Sequence, residues 1–350
     1  WKRCVGDAHP GNEVSMEQFY IPEGYRSESS IKETQRAIKS VKDHFERQLA
    51  KKLNLTRVSA PLFVKPESGL NDNLNGVERP VSFGIKEQND NPVEIVHSLA
   101  KWKRYALKRY GFHSGEGLYT DMNAIRKDEN LDRLHSIYVD QWDWERIIKK
   151  EDRNLSYLFD VVNDIYSVIY HINELIYRKY KIKHELPKHI TFISTNELVD
   201  KYPGLTNKER EKAITKLHKA VFIYQIGWPL SDGYPFDSRA SDYDDWTLNG
   251  DILVYSEAID DAIELSSMGI RVDSVSLKQQ IEYKKEEDKL DNPYCKKVLN
   301  NELPFTIGGG IGQSRLCMIL LHKAHIGETQ SSIWSNQMKE ECKKAGMLLI

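Results

Sequence analysis

The chain has 350 residues, of which 40% are hydrophobic and 29% are charged, and its 50 basic and 52 acidic residues give a net charge of −2. This length suits one large domain or two ordinary ones, with enough apolar residues for a substantial core. No apolar run approaches the roughly 18 residues of a membrane helix, and the N-terminal stretch lacks an apolar signal-peptide core, so no membrane association is expected. The balanced charge gives no indication of a nucleic-acid surface.

The four cysteines are far apart in the sequence and form no Cys-x-x-Cys pair. They are Cys4, Cys295, Cys317 and Cys342. This spacing predicts neither a zinc site nor a disulfide framework. It favours a reducing compartment, and we therefore expect the protein to be cytoplasmic.

The first predicted element is a long helix at residues 30–55, after an irregular stretch that we treat as an N-terminal extension, residues 1–30. Ser30 is a suitable N-cap residue. Apolar residues recur at three- and four-residue steps at Ile38, Val41, Phe45 and Leu49. A β-like segment follows at residues 56–64 and contains Pro61, which a strand tolerates only at an edge or an end.

Seven further β-like stretches follow, and helical patterns at residues 99–111 and 155–182 separate some of them. The stretches are VEIVHS, GLYTDMNAI, LHSIYVDQW, HITFIST, KAVFIYQIG, GDILVYS and AIELSSMGIRV. Because several strands follow each other directly, we predict an α+β fold with an antiparallel or mixed sheet flanked by helices. The sequence shows no clear linker or internal repeat, so residues 31–350 are predicted to form one domain.

Two polar segments precede the middle of the chain. The loop at residues 69–76, GLNDNLNG, has Asp72 at its centre and is typical of an ordinary turn, with ligand binding as the alternative. At Ser98 a strand gives way to a helix that begins with Lys101, Lys103 and Arg104. Such residues usually form a solvated basic face, although their place at the end of a strand also suits anion binding.

A third polar segment lies in residues 122–147, where two strands are predicted to form a hairpin with Arg126 near the end of the first. The second strand places Asp140, Gln141, Asp143 and Glu145 among tryptophans. Burying these groups costs free energy unless each has a polar partner. Either a structural hydrogen-bond network or a ligand site is therefore expected there.

A fourth segment, residues 240–272, concentrates acidic residues around two strands. They are Asp244, Asp245, Asp251 and Glu264. Because Asp251 and Glu264 lie within apolar β patterns, a purely structural acidic face is disfavoured. Carboxylates of this kind favour Mg²⁺, which prefers oxygen ligands.

The glycine cluster at residues 308–312 is followed by Arg315 and leads into a helix from Ser314 onward. It is not a P-loop, because no lysine follows the glycines, and its Gly-x-Gly-x-x-Arg pattern is not a dinucleotide fingerprint. A glycine-rich turn before a core helix is one interpretation. Together with Arg126 and the nearby carboxylates, however, the cluster favours attack on a nucleotide phosphate by a carboxylate.

The order of these motifs resembles that of the class II aminoacyl-tRNA synthetases: a long helix with a strand, Arg126 in a hairpin, and Gly-x-Gly-x-x-Arg at Arg315. ELSSMGIR also resembles the Glu-x-x-Ser element of the aspartyl and asparaginyl enzymes. A closer resemblance is to the ammonia-dependent asparagine synthetases, from about Ile31 to Trp334. It is carried by VHSLAKWKR, GEGLYT, YVDQWDWER, LSDG, DYDDW, LNGDILV, IELSSMGIRVD and IGGGIGQSRL.

This resemblance implies a homodimer that uses MgATP to activate the side-chain carboxylate of L-aspartate as β-aspartyl-AMP, which ammonia then converts to asparagine. Residues implied to bind aspartate are Asp72, Ser98, Lys103, Arg126, Gln141, Ser267 and Arg315. Residues implied to bind the nucleotide are Ser136, Val139, Asp244, Glu264, Gly310 and Arg315. The implied catalytic residues are Asp72, Arg126, Gln141 and Arg315, and the implied Mg²⁺ ligands are Asp251 and Glu264.

The alternative is a paralogue of an aspartyl- or asparaginyl-tRNA synthetase, which would usually carry a tRNA-binding domain and a basic surface. A regulatory nucleotide-binding module would be expected to lack Arg126, Arg315 or Glu264, and all three are present. One departure from the family pattern is the segment DYDDWTLNGD, which is several residues shorter than the family's. We therefore expect a mobile active-site loop to interrupt the chain next to Trp246, with a true deletion of that loop as the alternative.

Overall fold

A computed structural model describes residues 24–72, 74, 78–182, 184–231 and 233–350. Most of the predicted N-terminal extension, residues 1–23, lies outside the described residues. The part that is described is anchored to the C-terminal region, because the Tyr25 hydroxyl donates to Glu328 Oε2 at 2.9 Å and the Ser27 amide donates to the Gly346 carbonyl at 3.2 Å. The domain boundary at residue 31 stays a prediction.

The described strands form one large and one small sheet. In chain order they are β1 Leu55–Arg57, β2 Phe63–Val64, β3 Ser82–Ile85, β4 Asn91–Ile95, β5 Gly117–Ile125, β6 Tyr138–Ile147, β7 Thr191–Ser194, β8 Ala220–Tyr224, β9 Asp244–Ser256, β10 Asp261–Arg271 and β11 Thr306–Gly312. The large sheet has the spatial order β1-β5-β6-β11-β10-β9-β8-β7, and the small one β2-β4-β3. The pairs β1/β5 and β7/β8 are parallel and the other paired strands are antiparallel, so the prediction of a mixed sheet is confirmed.

Nine described helices flank the sheets. They are α1 Ile31–Leu53, α2 Ala100–Arg109, α3 Leu155–Tyr180, α4 Thr195–Lys201, α5 Asn207–His218, α6 Ser274–Lys284, α7 Pro293–Leu299, α8 Gln313–Leu320 and α9 Asn336–Lys344. None of the helices within the described ranges is both long and apolar enough to cross a membrane.

Helix α1 begins where the sequence predicted. The Ser30 hydroxyl accepts a hydrogen bond from the Glu33 amide at 3.3 Å, and Glu33 Oε2 accepts one from the Ser30 amide at 2.9 Å. This reciprocal capping satisfies amides that the helix itself leaves unpaired. The helix ends at Asn54, which adopts a left-handed conformation with φ of 56°.

The central strands separate an apolar face from a polar face because side chains alternate along a strand. Trp142 and Trp144 of β6 join the main core with α1, α3 and α8. Their neighbours Gln141, Asp143 and Glu145 point to the opposite face, which α2 partly covers with a second apolar cluster. The polar face of β6, β11 and β10 therefore lies at the centre of the molecule.

Three sequence-based expectations need correction. Pro61 lies in the connection between β1 and β2 rather than within one strand. Residues 306–312 form β11, which was not among the predicted strands. The expected loop next to Trp246 is absent, because β9 runs continuously through it. In place of a loop there is a bulge: Asn249 pairs with Gly269, and five residues earlier Asp244 pairs with Arg271.

Candidate active site

A cavity of about 400 Å³ lies over the polar face of β6, β11 and β10. All of the site residues predicted from the sequence except Asp251 line it. They are Asp72, Ser98, Lys103, Arg126, Ser136, Val139, Gln141, Asp244, Glu264, Ser267, Gly310 and Arg315. These residues come from separate parts of the chain, so the fold creates the site.

The glycines of β11 make room for the polar side chains of neighbouring strands. A Cβ atom on Gly310 would overlap Gln141 Oε1 and would lie 2.8 Å from Asp143 Oδ1. A Cβ atom on Gly308 would overlap the Glu145 carboxylate. Contacts this close require the neighbour to move. The glycines therefore leave room for the side chains of Gln141 and Asp143, which form the floor of the cavity, and for that of Glu145. This need for space explains why residues of low β propensity occupy the strand.

We expect Gly310→Ala to reduce activity strongly while the protein remains folded, because the added methyl group displaces Gln141 and Asp143 from the cavity floor. Gly204→Ala is the matched control, since a Cβ atom there would meet no atom within 4 Å. The two variants should show similar circular dichroism and differ in catalytic rate. Equal activity of the two would show that the floor tolerates the displacement.

Arg271 ties three strands together beneath the cavity. Its Nε and Nη2 atoms donate to Glu145 at 3.0 and 2.8 Å, and Nη1 contacts Asp244. Glu145 also accepts from the Thr306 hydroxyl at 2.7 Å. Burial alone would raise the pKa of Glu145, but Arg271 outweighs it and the pKa is lowered. Glu145 thus belongs to a structural network, one of the two alternatives left open for this strand.

Two carboxylates that line the cavity each have an oxygen without a hydrogen-bond partner among the described residues. Asp72 Oδ1 accepts from the Leu74 amide at 2.9 Å, whereas the buried Oδ2 has no partner within the described part of the chain. Lys103 Nζ donates to the Gly309 carbonyl at 2.8 Å and lies 3.2 Å from Asp143 Oδ2, while Asp143 Oδ1 is buried and has no partner among the residues that the structure describes. Buried polar atoms without partners are costly, so these two carboxylates suit a ligand with hydrogen-bond donors.

Two arginines also line the cavity. Arg126 follows β5, and its buried Nε has no hydrogen-bond partner among the described residues. Arg315, in α8, donates from Nη1 to the Glu264 carbonyl at 3.0 Å. Burial acts to raise the pKa of the Glu264 carboxyl, but the positive charges of Arg315 and then Arg239 outweigh it and lower the pKa. Guanidinium groups in this setting suit phosphate oxygens.

Asp251, predicted as a Mg²⁺ ligand, is not among the described residues that line the cavity. Its Oδ2 contacts Arg239 Nη2, and its buried Oδ1 has no hydrogen-bond partner among the described residues. Burial raises the pKa of Asp251 to about 7, against the influence of Arg239. The described ranges contain no group of three or more His, Cys, Asp or Glu side chains that could hold a metal ion.

Sequence reasoning missed several residues of this site. Arg239 lies in a loop rich in serine, proline and aspartate, which carries no periodic signal. Arg271 was visible in ELSSMGIR but was given no role, and Tyr243 was not considered. The motif DYDDW carried the signal for Tyr243, because it places an aromatic residue among carboxylates.

Comparison with known proteins gives consistent matches along almost the whole chain. The sequence profile of the AsnA family, described as aspartate–ammonia ligase, matches residues 32–346. The aspartate–ammonia ligase of Clostridium tetani is 58% identical over 335 residues, which cover 95% of this chain and 98% of that protein. The aspartate–ammonia ligase of Levilactobacillus brevis is 54% identical over 331 residues, 94% of this chain and 99% of that protein.

Solved structures with the same fold include asparaginyl-tRNA synthetases. The Entamoeba histolytica enzyme in complex with asparaginyl-adenylate has a TM-score of 0.63 and 13% identity, and the match covers 86% of this chain and 66% of that one. The Pyrococcus horikoshii enzyme with the same adenylate has a TM-score of 0.61 and 16% identity, covering 85% and 68%. This chain spans about two thirds of their length, and at such identity the likeness shows the fold alone. The chain belongs to the aspartate–ammonia ligase family and has the fold of a class II aminoacyl-tRNA synthetase core.

Proposed function

We propose that this protein makes L-asparagine from L-aspartate, ammonia and ATP, with β-aspartyl-AMP as the intermediate and AMP and pyrophosphate as the other products. The observation that carries this proposal is the pair of buried, unpartnered carboxylate oxygens of Asp72 and Asp143 in a cavity that also contains Arg126 and Arg315. An amino acid's ammonium group suits the carboxylate oxygens of Asp72 and Asp143, and a nucleotide's phosphates suit the guanidinium groups of Arg126 and Arg315.

The residues that bind the amino acid orient it for reaction. Asp72 receives the α-ammonium group, and a charge-assisted hydrogen bond of this kind contributes about 1.5–3 kcal/mol. Lys103, held by Asp143 and the Gly309 carbonyl, faces the substrate's carboxylates. The remaining proposed contacts are Ser98, Gln141 and Ser267, all of which line the cavity.

In the first step the side-chain carboxylate of aspartate attacks the α-phosphorus of ATP. A carboxylate oxygen–phosphorus bond forms and the bond to the pyrophosphate oxygen breaks, with both electrons leaving on pyrophosphate. Arg126 and Arg315 offset the charge that develops on the phosphoryl oxygens. Proposed contacts to the nucleotide come from Ser136, Val139, Asp244, Glu264 and Gly310.

In the second step ammonia attacks the activated carbonyl. A carbon–nitrogen bond forms, the carbon–oxygen bond to AMP breaks, and the proton that nitrogen loses passes to solvent. We assign Gln141, whose amide oxygen lies close to Gly310, to the region of the reacting carbonyl. Ammonium has no lone pair, so neutral ammonia is the nucleophile.

Asp251 and Glu264 fit Mg²⁺ chemistry, which commonly uses one or two carboxylates together with substrate phosphates. The buried, unpartnered Oδ1 atom of Asp251 is the observation that supports this assignment. When bound, Mg²⁺ would neutralise phosphate charge and favour departure of pyrophosphate. Arg239 now contacts the other oxygen of Asp251, so the protein's own cation already offsets part of that carboxylate's charge.

We also propose that the protein is a homodimer, acts in the cytoplasm, and has no nucleic-acid or membrane partner. The small sheet carries an exposed apolar group, Leu62, Phe63 and Phe83, in which the two phenylalanine rings lie 5.2 Å apart. Such a group suits burial between two copies of the chain.

Sedimentation should give about twice the mass of the 40.6 kDa chain. A monomer at working concentration would contradict the dimer.

The nitrogen source tests the function. We expect ammonium alone to support asparagine formation from aspartate and MgATP, with AMP as the nucleotide product and with tRNA omitted. The total ammonium requirement should fall as pH rises, because the fraction of neutral ammonia grows. Strict dependence on glutamine would contradict this nitrogen source, and strict dependence on tRNA would favour the synthetase alternative.

A further inference from the structure

The wall beside Asp72 contains a buried ion pair that the proposed reaction does not use. Lys101 Nζ lies 2.9 Å from Asp242 Oδ2, and the two side chains are 6% and 3% exposed. Neither is among the described residues that line the cavity, whereas Asp72 lines it and interacts electrostatically with both. We propose that the Lys101–Asp242 pair positions Asp72 as an ionised acceptor for the α-ammonium group of L-aspartate.

The loop that carries Asp72 and the helix that carries Lys101 are joined at one turn. The His97 amide donates to Asn71 Oδ1 at 2.9 Å, and His97 Nδ1 lies 3.1 Å from the Asp72 carbonyl oxygen. Helix α2 begins three residues later, with Lys101 in its first turn. The relative positions of Asp72 and Lys101 are therefore fixed by a short, hydrogen-bonded segment.

Asp242 is held equally firmly from the other side. Gln280 Nε2 donates to the Ser241 and Asp244 carbonyls at 3.0 and 2.9 Å, on either side of Asp242. Gln280 Oε1 accepts from the Trp246 amide at 3.0 Å. All three hydrogen bonds are made by one buried side chain. The carboxylate that faces Lys101 thus belongs to a rigid segment.

Lys101 occupies an unfavourable position for a lysine. It is buried in the first turn of α2, where the helix dipole disfavours a cation, and that turn contains no acidic residue. The negative charges of Asp242 and Asp72 must therefore offset the buried positive charge of Lys101. Apolar residues often replace a buried ion pair without loss of stability, so stability alone does not explain the pair.

The group formed by Asp72, Asp242 and Lys101 suits an ammonium ligand. Asp72 and Asp242 supply two negative charges and Lys101 one positive charge, which leaves one net negative charge within this group. Arg126 also lowers the pKa of Asp72 and Lys289 that of Asp242, each less than Lys101 does. Tyr243 is neutral, because burial raises the pKa of its phenol well above the ordinary value. Burial raises the pKa of Asp72, and Lys101 opposes this rise most strongly. The inference rests on the proposed function, since it takes L-aspartate as the ligand.

Three variants test the pair: Lys101→Met, Asp242→Asn, and the two combined. L-aspartate binding is measured by calorimetry, and the KM values for aspartate and ATP are measured between about pH 6 and 9. Succinate, which lacks the amine, is the control ligand and should not bind the unaltered protein measurably. Thermal unfolding and circular dichroism report folding independently.

We expect each single variant to weaken aspartate binding by about tenfold or more, with ATP KM within about threefold of the unaltered protein. In Lys101→Met the pKa of Asp72 rises further, so binding is lost as pH falls and recovers as pH rises. In Asp242→Asn, Lys101 pairs with Asp72 and competes with the substrate at every pH. The double variant restores the single negative charge, and aspartate affinity should return to within about threefold.

Each outcome supports or contradicts the proposed role of the Lys101–Asp242 pair. Folded single variants with unchanged aspartate affinity, or a folded double variant that stays as weak as the single ones, would overturn the inference. If Lys101→Met does not fold, the comparison of Asp242→Asn with the double variant still decides it. An unaltered protein that makes no asparagine from ammonium would contradict the proposed function instead, whereas active protein with unresponsive variants contradicts only the role of the pair.

Discussion

Arg315→Ala should lower the rate of adenylate formation by about 10²–10³-fold, the loss that follows removal of one donor to a developing charge. Arg315 lies in α8, three residues after Gly312, where the glycine strand's pairing with β6 ends, and its side chain lines the cavity beside Glu264. The effect should fall on the rate constant, because the charge it offsets grows in the transition state. Aspartate-dependent exchange between ATP and labelled pyrophosphate measures this step.

Two companions sharpen the test of Arg315. Arg315→Lys keeps the charge but loses the planar fork, so its exchange rate should lie between those of the other two proteins. Arg57→Ala is the matched control, because Arg57 pairs with Asp121 in a largely exposed position outside the cavity. Exchange by Arg315→Ala at a rate close to that of the control would refute the role of this arginine.

Arg271→Met should destabilise the fold by about 3–5 kcal/mol, the usual cost of leaving buried charges without their partner. The side chain of Arg271 is 2% exposed and is the cation for both Glu145 and Asp244. Urea unfolding measures the loss. Arg57→Met, which breaks an exposed pair, should leave the midpoint almost unchanged.

The stability of Arg271→Met should change with pH in a definite direction. Without Arg271, burial raises the pKa of both carboxyls in the folded state above their unfolded values. The folded protein then binds more protons than the unfolded chain, so stability increases as pH falls from about 8 to 5. In the unaltered protein the pKa of Glu145 is lowered, and its contribution is present at neutral pH. A variant that lost stability on mild acidification would contradict the assigned network.

The sequence predicted the elements whose local signals agree with their environment. Helix α1 was placed correctly because Ser30 caps it and its apolar residues face the core. Strand β5 was found with its observed bounds, since GLYTDMNAI begins with a glycine and continues with β-formers such as Tyr119 and Thr120. Strand β11 was missed because its glycines are poor strand formers. Gly308 and Gly310 are explained by the side chains of Glu145, Gln141 and Asp143, and Gly309 by the close approach of Met268.

The same limit applies to the site. The motifs predicted most of the residues that meet in the cavity. They did not predict which charged side chains pair with each other. Arg239 contacts Asp251 and Lys101 pairs with Asp242 across 12 and 141 residues of sequence, respectively. Such contacts depend on the three-dimensional arrangement of loops, which carry no periodic pattern.

The fate of oxygen in the substrate's side chain tests β-aspartyl-AMP formation directly. Aspartate labelled with ¹⁸O in both oxygens of its side-chain carboxylate is converted in the presence of MgATP and ammonium, and the products are analysed by mass spectrometry. We predict one ¹⁸O atom in AMP, one retained in the asparagine amide, and none in pyrophosphate. Unlabelled AMP, or ADP and labelled phosphate as products, would contradict activation of the side-chain carboxylate as an adenylate.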